Sequence, residues 1–226
     1  MFTPVELAFL AEYTKTMSPF AKALDVLQGE ANVQMGWLVP TIKLLQAKLQ
    51  HLCISSESCR PLIEALLAGL ERRFGQMLTD PELIAAAILV PKFKTCWTSD
   101  ECVLKLGLDY IKSHLKEQVV VMTEGCDTYH SSEEEDFFSA IKQSIPQENT
   151  RQLETYLGCP GDTTDVLKSF PAVCRLSLTL NTALPASAAC ERLFSTAGLI
   201  FTPKRAHVDS KNFENQLLLK LNKGFW

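Results

Sequence analysis

Three features that are common in other proteins are missing from this 226-residue sequence. No apolar run approaches the ~20 residues with which a helix crosses a bilayer, so the sequence predicts no membrane-spanning helix. No Cys-x-x-Cys pair occurs, which removes the usual support for a zinc ribbon or a dithiol redox motif. No fixed repeat period recurs along the chain, and this disfavours a solenoid.

The eight cysteines are scattered singly along the chain. The sequence begins without a secretory-signal pattern and is too long to depend on disulfides, so we expect a soluble intracellular protein with free thiols. A metal site can be imagined at His51, Cys53 and Cys59. Buried thiols in a reducing compartment explain these cysteines better, and we expect neither a metal nor another cofactor.

The net charge of the chain is mildly negative and unevenly distributed. Its value of −4 argues against a protein that coats DNA or acidic membranes through its overall field. Residues 185–226 hold six Lys and Arg against three acidic residues, a local charge of +3, so the first 184 residues carry −7. Three phosphate contacts, from Lys204, Arg205 and Lys211, would give only weak and salt-sensitive DNA binding. Basic surface residues beside a helix end are the ordinary explanation for them.

Apolar residues recur at three- and four-residue steps along most of the chain, which predicts a mainly α-helical protein. Alternation with period two persists only weakly, at 118–122. Asp80 is predicted to cap one helix and Pro19 to kink or divide the first. The predicted helices are 4–28, 37–52, 61–78, 80–91, 99–122, one starting near Ser132, 171–183, 186–197 and 210–222. The polar, turn-rich stretch near 148–165 is predicted to be a linker or a subdomain junction.

The two helices predicted nearest the C-terminus carry the most specific pattern. In the first, the stripe of Ala186, Cys190, Phe194 and Ala197 and the small residues around it predict a deeply packed helix. In the second, Phe213, Leu217 and Leu221 align at four-residue spacing with Leu218 beside them. This apolar face requires a partner, either within the chain or on a second subunit.

The C-terminal pattern resembles a known signature. The stretch "LPASAACERLFSTAGLIFTPKRAHVDSKNFENQLLLKLN", residues 184–222, is similar to the C-terminal region of hAT-superfamily transposases and their domesticated BED-zinc-finger relatives. Upstream, "FLAEYTKTMSPFAKALDVLQGE", "TIKLLQAKL" and "DPELIAAAILVPKFK" are similar to the helical region that interrupts the catalytic fold of that family. Two departures stand out: Val90 occupies a position where the family usually has Asp, and the family's Trp pair is missing before Phe170.

The resemblance implies a fold and a domain organisation. Residues 1–148 would be a helical insertion-like domain, and residues 149–226 the C-terminal helices of an incomplete ribonuclease-H-like transposase fold. Glu191 matches the third carboxylate of that family's Asp-Asp-Glu metal site. The family's two aspartates precede the insertion, as does its zinc finger, and we expect neither in this chain. One carboxylate does not assemble two metal ions, so we expect Glu191 to be vestigial and the protein to be catalytically inactive.

The resemblance also implies a function, because the hAT C-terminal region is a dimerisation region. The predicted dimerisation residues are Phe194, Leu199, Phe213, Leu217, Leu218 and Leu221. The expected partner is a second copy of the chain or a related transposase-derived protein, with weak or no direct DNA binding. A nuclear location, or otherwise a cytoplasmic one, follows from the same resemblance.

The sequence leaves two other functions open. The chain could be a transposase subunit that donates Glu191 to aspartates on another polypeptide at a divalent-metal nuclease site. Alternatively, it could be a helical adaptor unrelated to DNA that binds partners through the acidic residues at 131–136. Such an acidic run is more often simply the favourable charge at a helix N-terminus.

Overall fold

The structure, a computed structural model, describes residues 2–29, 33–123, 145–200 and 209–222. Within these ranges the regular elements are helices, and no strand occurs. They are α1 (Pro4–Leu27), α2 (Leu38–Ser55), α3 (Arg60–Phe74), α4 (Pro81–Ile88), α5 (Glu101–Thr123), α6 (Ile145–Gly158), α7 (Pro171–Asn181), α8 (Ala188–Ile200) and α9 (Ser210–Leu221). Short 3-10 turns lie at Met35–Trp37, Met77–Thr79 and Thr164–Ser169. The predicted mainly α class is confirmed, whereas the ribonuclease-H-like ancestry stays a prediction.

Local sequence signals explain where several helices begin. The Asp80 side chain accepts a hydrogen bond from the backbone N–H of Glu82 at 2.9 Å, and Pro81 opens α4, as predicted. The Asp100 side chain likewise accepts from the backbone N–H of Cys102 at 3.0 Å, ahead of α5. Each carboxylate satisfies an amide that the first helical turn leaves without an intrahelical acceptor.

The chain divides into two compact units, Met1–Leu27 with Val33–Pro185 and Gln28–Asn32 with Ala186–Trp226. The predicted boundary after residue 148 does not coincide with this division. Helices α6 and α7 lie in the first unit because α6 packs on α5 and α7 packs on α4, α5 and α6.

The core of the first unit is built around α4. This helix is Ala-rich and buried from Ile84 through Ile88, which lets α5 and the Met35–Trp37 turn approach its backbone closely. The approach of α5 depends on Gly107, since a Cβ there would lie 2.5 Å from Ile84 Cγ2. Helices α5, α6 and α7 complete this core, to which α6 contributes the fully buried Leu153 and Tyr156.

Helices α1, α2 and α3 form the other side of the first unit. Helix α2 contributes the buried Val39, Ile42, Leu45 and Leu49, and Ile63 of α3 packs against the last two. Helix α1 is held less completely, since Thr16 is its one buried residue among those described. Exposed apolar side chains therefore line α1 over much of its length.

Two local predictions differ from the structure. The stretch at 148–165 contains α6 and a 3-10 turn, because Leu153 and Tyr156 provide a buried face within an otherwise polar sequence. Helix α1 runs without interruption through Pro19, so this proline does not divide it. The predicted helix near Ser132 and the acidic run at 131–136 lie outside the described residues.

A candidate self-association surface

The second compact unit consists, in its described part, of α8, α9 and the segment at 28–29. Helices α8 and α9 pack against each other. The Asp209 side chain caps α9 by accepting from the backbone N–H of Asn212 at 2.7 Å. Arg192 Nη2 donates to the carbonyl oxygen of Gln28 at 3.1 Å, which ties the 28–29 segment to α8.

Both helices leave large apolar side chains in contact with solvent. On α8, Phe194 is 72% exposed and Leu199 is 70% exposed. On α9, Leu218, Leu219 and Leu221 are exposed. The predicted dimerisation residues Phe213 and Leu217 are half-buried. We call the five exposed side chains, Phe194, Leu199, Leu218, Leu219 and Leu221, the C-terminal apolar surface.

The deep packing predicted for α8 is wrong within a single chain. Ile200 is the one buried residue of this helix, and both Cys190 and Phe194 of the predicted stripe are exposed. The apolar pattern predicted a face that needs a partner. It could not show whether the partner that covers this face belongs to the same chain.

Helix α9 is apolar on two sides. Leu217 and Leu219 are two residues apart, so they project from nearly opposite sides of the helix. Leu217 is half-buried, whereas Leu219 is 58% exposed. The prediction rested on the four-residue spacing of one stripe and therefore missed Leu219.

Glu191 lies in the first turn of α8 and is exposed. Its Oε1 accepts a hydrogen bond from Ser187 Oγ at 3.0 Å, and its backbone N–H donates to the Ser187 carbonyl oxygen at 2.9 Å. Glu191 therefore makes its side-chain hydrogen bond locally, at the start of its own helix. In the part of the chain that the structure describes, no three Asp, Glu, His or Cys side chains come together as metal ligands. His51, Cys53 and Cys59 lie in this part and do not form such a group.

The sequence predicted weak or no direct DNA binding and no membrane-spanning helix. Lys211 is exposed near the start of α9, while Lys204 and Arg205 lie outside the described residues. Over the ranges the structure describes, no helix is both long enough and apolar enough to cross a bilayer.

Comparison with known proteins does not assign the chain to a family. No protein-family model matches it, and a search of curated proteins finds no match. The relation to hAT transposases therefore stays a prediction from the motifs in residues 184–222.

Proposed function

We propose that this chain is a self-association protein, derived from an hAT-type transposase, whose α8–α9 pair holds two copies together. The observation that carries the proposal is the C-terminal apolar surface: five large apolar side chains exposed on two short helices, with exposures from 46% to 72%. Exposed apolar patches of this kind, grouped on neighbouring elements, mark interaction sites more often than isolated exposed leucines do.

The size of the C-terminal apolar surface suits a reversible dimer. Complete burial of a Leu or Phe side chain contributes about 1.5–3 kcal/mol, so the burial of side chains that are about half to three-quarters exposed contributes about 1–2 kcal/mol each. A twofold interface that buries all five side chains on both copies gives about 10–20 kcal/mol before any costs. Association itself costs about 4–15 kcal/mol. The gain exceeds the cost over most of these two ranges, and we expect a dimer that dissociates in the micromolar range.

A second copy is the occupant that the observations favour. The surface needs an apolar partner, and a twofold pairing supplies one without any further protein. The similarity of residues 184–222 to the dimerisation region of hAT transposases supports the same choice. A related transposase-derived protein would present the same type of surface and would form a heterodimer.

Catalytic inactivity is the second part of the proposal. Glu191 hydrogen-bonds within its own helix start, which is a sufficient local role for a remnant of a metal-binding carboxylate. Metal-dependent strand cleavage by the purified chain that is lost in Glu191→Gln would contradict this part. Residence in the nucleus, with little direct DNA binding, belongs to the same proposal and rests on the resemblance.

The direct test replaces exposed residues, so that the monomer fold is left intact. We expect Phe194→Ser with Leu218→Ser to convert the dimer to a monomer of unchanged helical content, measured by sedimentation equilibrium and circular dichroism. Leu178→Ser is the matched control, because Leu178 of α7 is 63% exposed and lies outside the surface. A double variant that remains dimeric would refute the assignment of this surface.

A further inference from the structure

A groove of about 500 Å³ lies in the first compact unit between α1, α2 and the segment that follows α4. We call it the α1–α2 groove. Helix α1 supplies Pro19, Ala23 and Val26 to its wall. Helix α2 supplies an opposing apolar wall that includes Leu44 and Leu45. Ligand sites for small molecules have volumes in this range and walls of this composition.

Three aromatic side chains also line the groove: Trp37, ahead of α2, and Phe93 and Trp97, from the segment that follows α4. Trp37 and Phe93 meet edge to face with ring centroids 5.0 Å apart. The ring of Trp97 also packs against the buried core.

The lining of the groove is positively charged. Lys22, Lys48 and Lys92 line it, from α1, α2 and the segment after α4, and none of its lining residues is acidic. The ammonium group of Lys92 lies 4.7 Å from the centre of the Trp37 ring, so one cation is positioned directly over an aromatic face.

We propose that the α1–α2 groove binds a small amphipathic anion, with a flat apolar body against the aromatic and aliphatic walls and one acidic group among the lysines. The walls remove apolar surface of the ligand from water, which supplies most of the affinity. The three lysines select an anion over its neutral analogue, because no acidic side chain in the lining offsets their field. This site lies in the first unit and does not depend on the proposed dimer.

A second groove in the same unit has a different character. It has a volume of about 360 Å³ and is lined by residues of α1, α2 and α3, among which Arg73 is the one charged residue. Its lining therefore carries less positive charge than the α1–α2 groove and gives less basis for selecting an anion.

The test uses 1-anilinonaphthalene-8-sulfonate as the anionic probe and N-phenyl-1-naphthylamine, which has the same rings without the sulfonate, as the neutral one. Trp37 and Trp97 are two of the three tryptophans in the chain and both line the groove, so binding should quench their emission and transfer energy to the probe. We expect the anionic probe to bind more tightly than the neutral one. Equal affinity of the two probes would overturn the anion selectivity.

Two variants locate the site. Leu44→Glu places a negative charge in a wall position that is 57% exposed, and we expect it to abolish binding of the anionic probe at this site. Leu178→Glu, at a position with 63% exposure outside the groove, is its control. Unchanged probe binding in folded Leu44→Glu protein would refute the groove as the site.

The lysines are tested by their effect on the two probes. Lys22→Gln with Lys92→Gln should weaken the binding of the anionic probe about tenfold and should change the affinity for the neutral probe by less than about twofold. The loss of two exposed ion pairs is enough to explain a tenfold change. Lys105→Gln, at an exposed lysine of α5 outside the groove, should change neither affinity. An equal loss for both probes would show that the lysines act through the shape of the groove rather than through charge, and would overturn the proposal.

Discussion

Asn181 joins three elements of the first unit through its side chain, and its replacement should be among the most damaging single changes. The side chain is buried at the end of α7. Its Oδ1 accepts from the backbone N–H of Gly36 at 2.7 Å, and its Nδ2 donates to the carbonyl oxygen of Ala86 in α4 at 3.1 Å. Glycine is required at the first contact, since a Cβ on Gly36 would lie 2.3 Å from the Ala86 oxygen.

Asn181→Ala leaves one buried donor and one buried acceptor without partners. Each such group costs about 1–3 kcal/mol, so we expect a loss of about 2–6 kcal/mol in the free energy of unfolding. A typical domain has 5–15 kcal/mol of stability, and the change should therefore be plain in a denaturant titration followed by circular dichroism. Thr179→Ala, on the exposed side of the same helix, should cost less than about 0.5 kcal/mol. A loss below about 1 kcal/mol for Asn181→Ala would refute the assigned role.

Asn181→Asp gives a second, independent readout. A protonated carboxyl group can accept from Gly36 and donate to Ala86, whereas an ionised one loses the donor and buries a charge. Burial raises the pKa of this carboxyl above the ordinary value of about 3.9. The deficit in stability relative to the wild type should be small below that value and should grow as the pH rises through the raised pKa. A deficit independent of pH would contradict this reasoning.

Two further predictions concern how the helices are joined. The Glu12 carboxylate accepts hydrogen bonds from Ser56 Oγ and from the backbone N–H groups of residues 57–59, and the Ser56 bond is the main cause that lowers the pKa of Glu12 to about 2. Glu12→Gln should therefore lower the melting temperature above pH 4.5. The difference in melting temperature from the wild type should vanish as the pH falls through 2, and a difference that is the same at every pH would contradict this. Gly107→Ala should lower the free energy of unfolding by about 1–3 kcal/mol in denaturant titration, because its Cβ would also meet Ile88 Cδ1 at 2.8 Å. Gly69→Ala, in α3 with open space around the new Cβ, should instead raise the free energy of unfolding by about 0.5–1 kcal/mol. Similar losses of stability in the Gly107 and Gly69 variants would contradict the steric explanation.

Much of the fold could be predicted because strong local signals mark it. Asp80 followed by Pro81 identifies the start of α4 without reference to the rest of the chain. Helix α6 was missed, because Leu153 and Tyr156 form a short apolar face in a segment whose other residues are polar and turn-forming. The predicted division of the helix at Pro19 was wrong for a related reason: a proline lowers helix propensity locally, but the contacts of α1 with α2 outweigh it.

The candidate site was predictable only in part. The apolar stripes of the two C-terminal helices predicted that Phe194 and Leu218 need a partner, but periodicity does not show where that partner is. The α1–α2 groove could not be predicted from the sequence, since Lys22, Lys48 and Phe93 lie in separate segments that only the packing of the helices brings together. Long-range packing of this type leaves no periodic pattern in a single sequence.

The central claim is that two copies of this chain associate through α8 and α9. The most direct test is the solution mass of the purified chain by light scattering across a hundredfold dilution. Self-association predicts a mass of twice 25.2 kDa that falls toward 25.2 kDa in the micromolar range. A mass of 25.2 kDa at every concentration would contradict the claim, and the exposed leucines of α9 would then have no partner in a second copy.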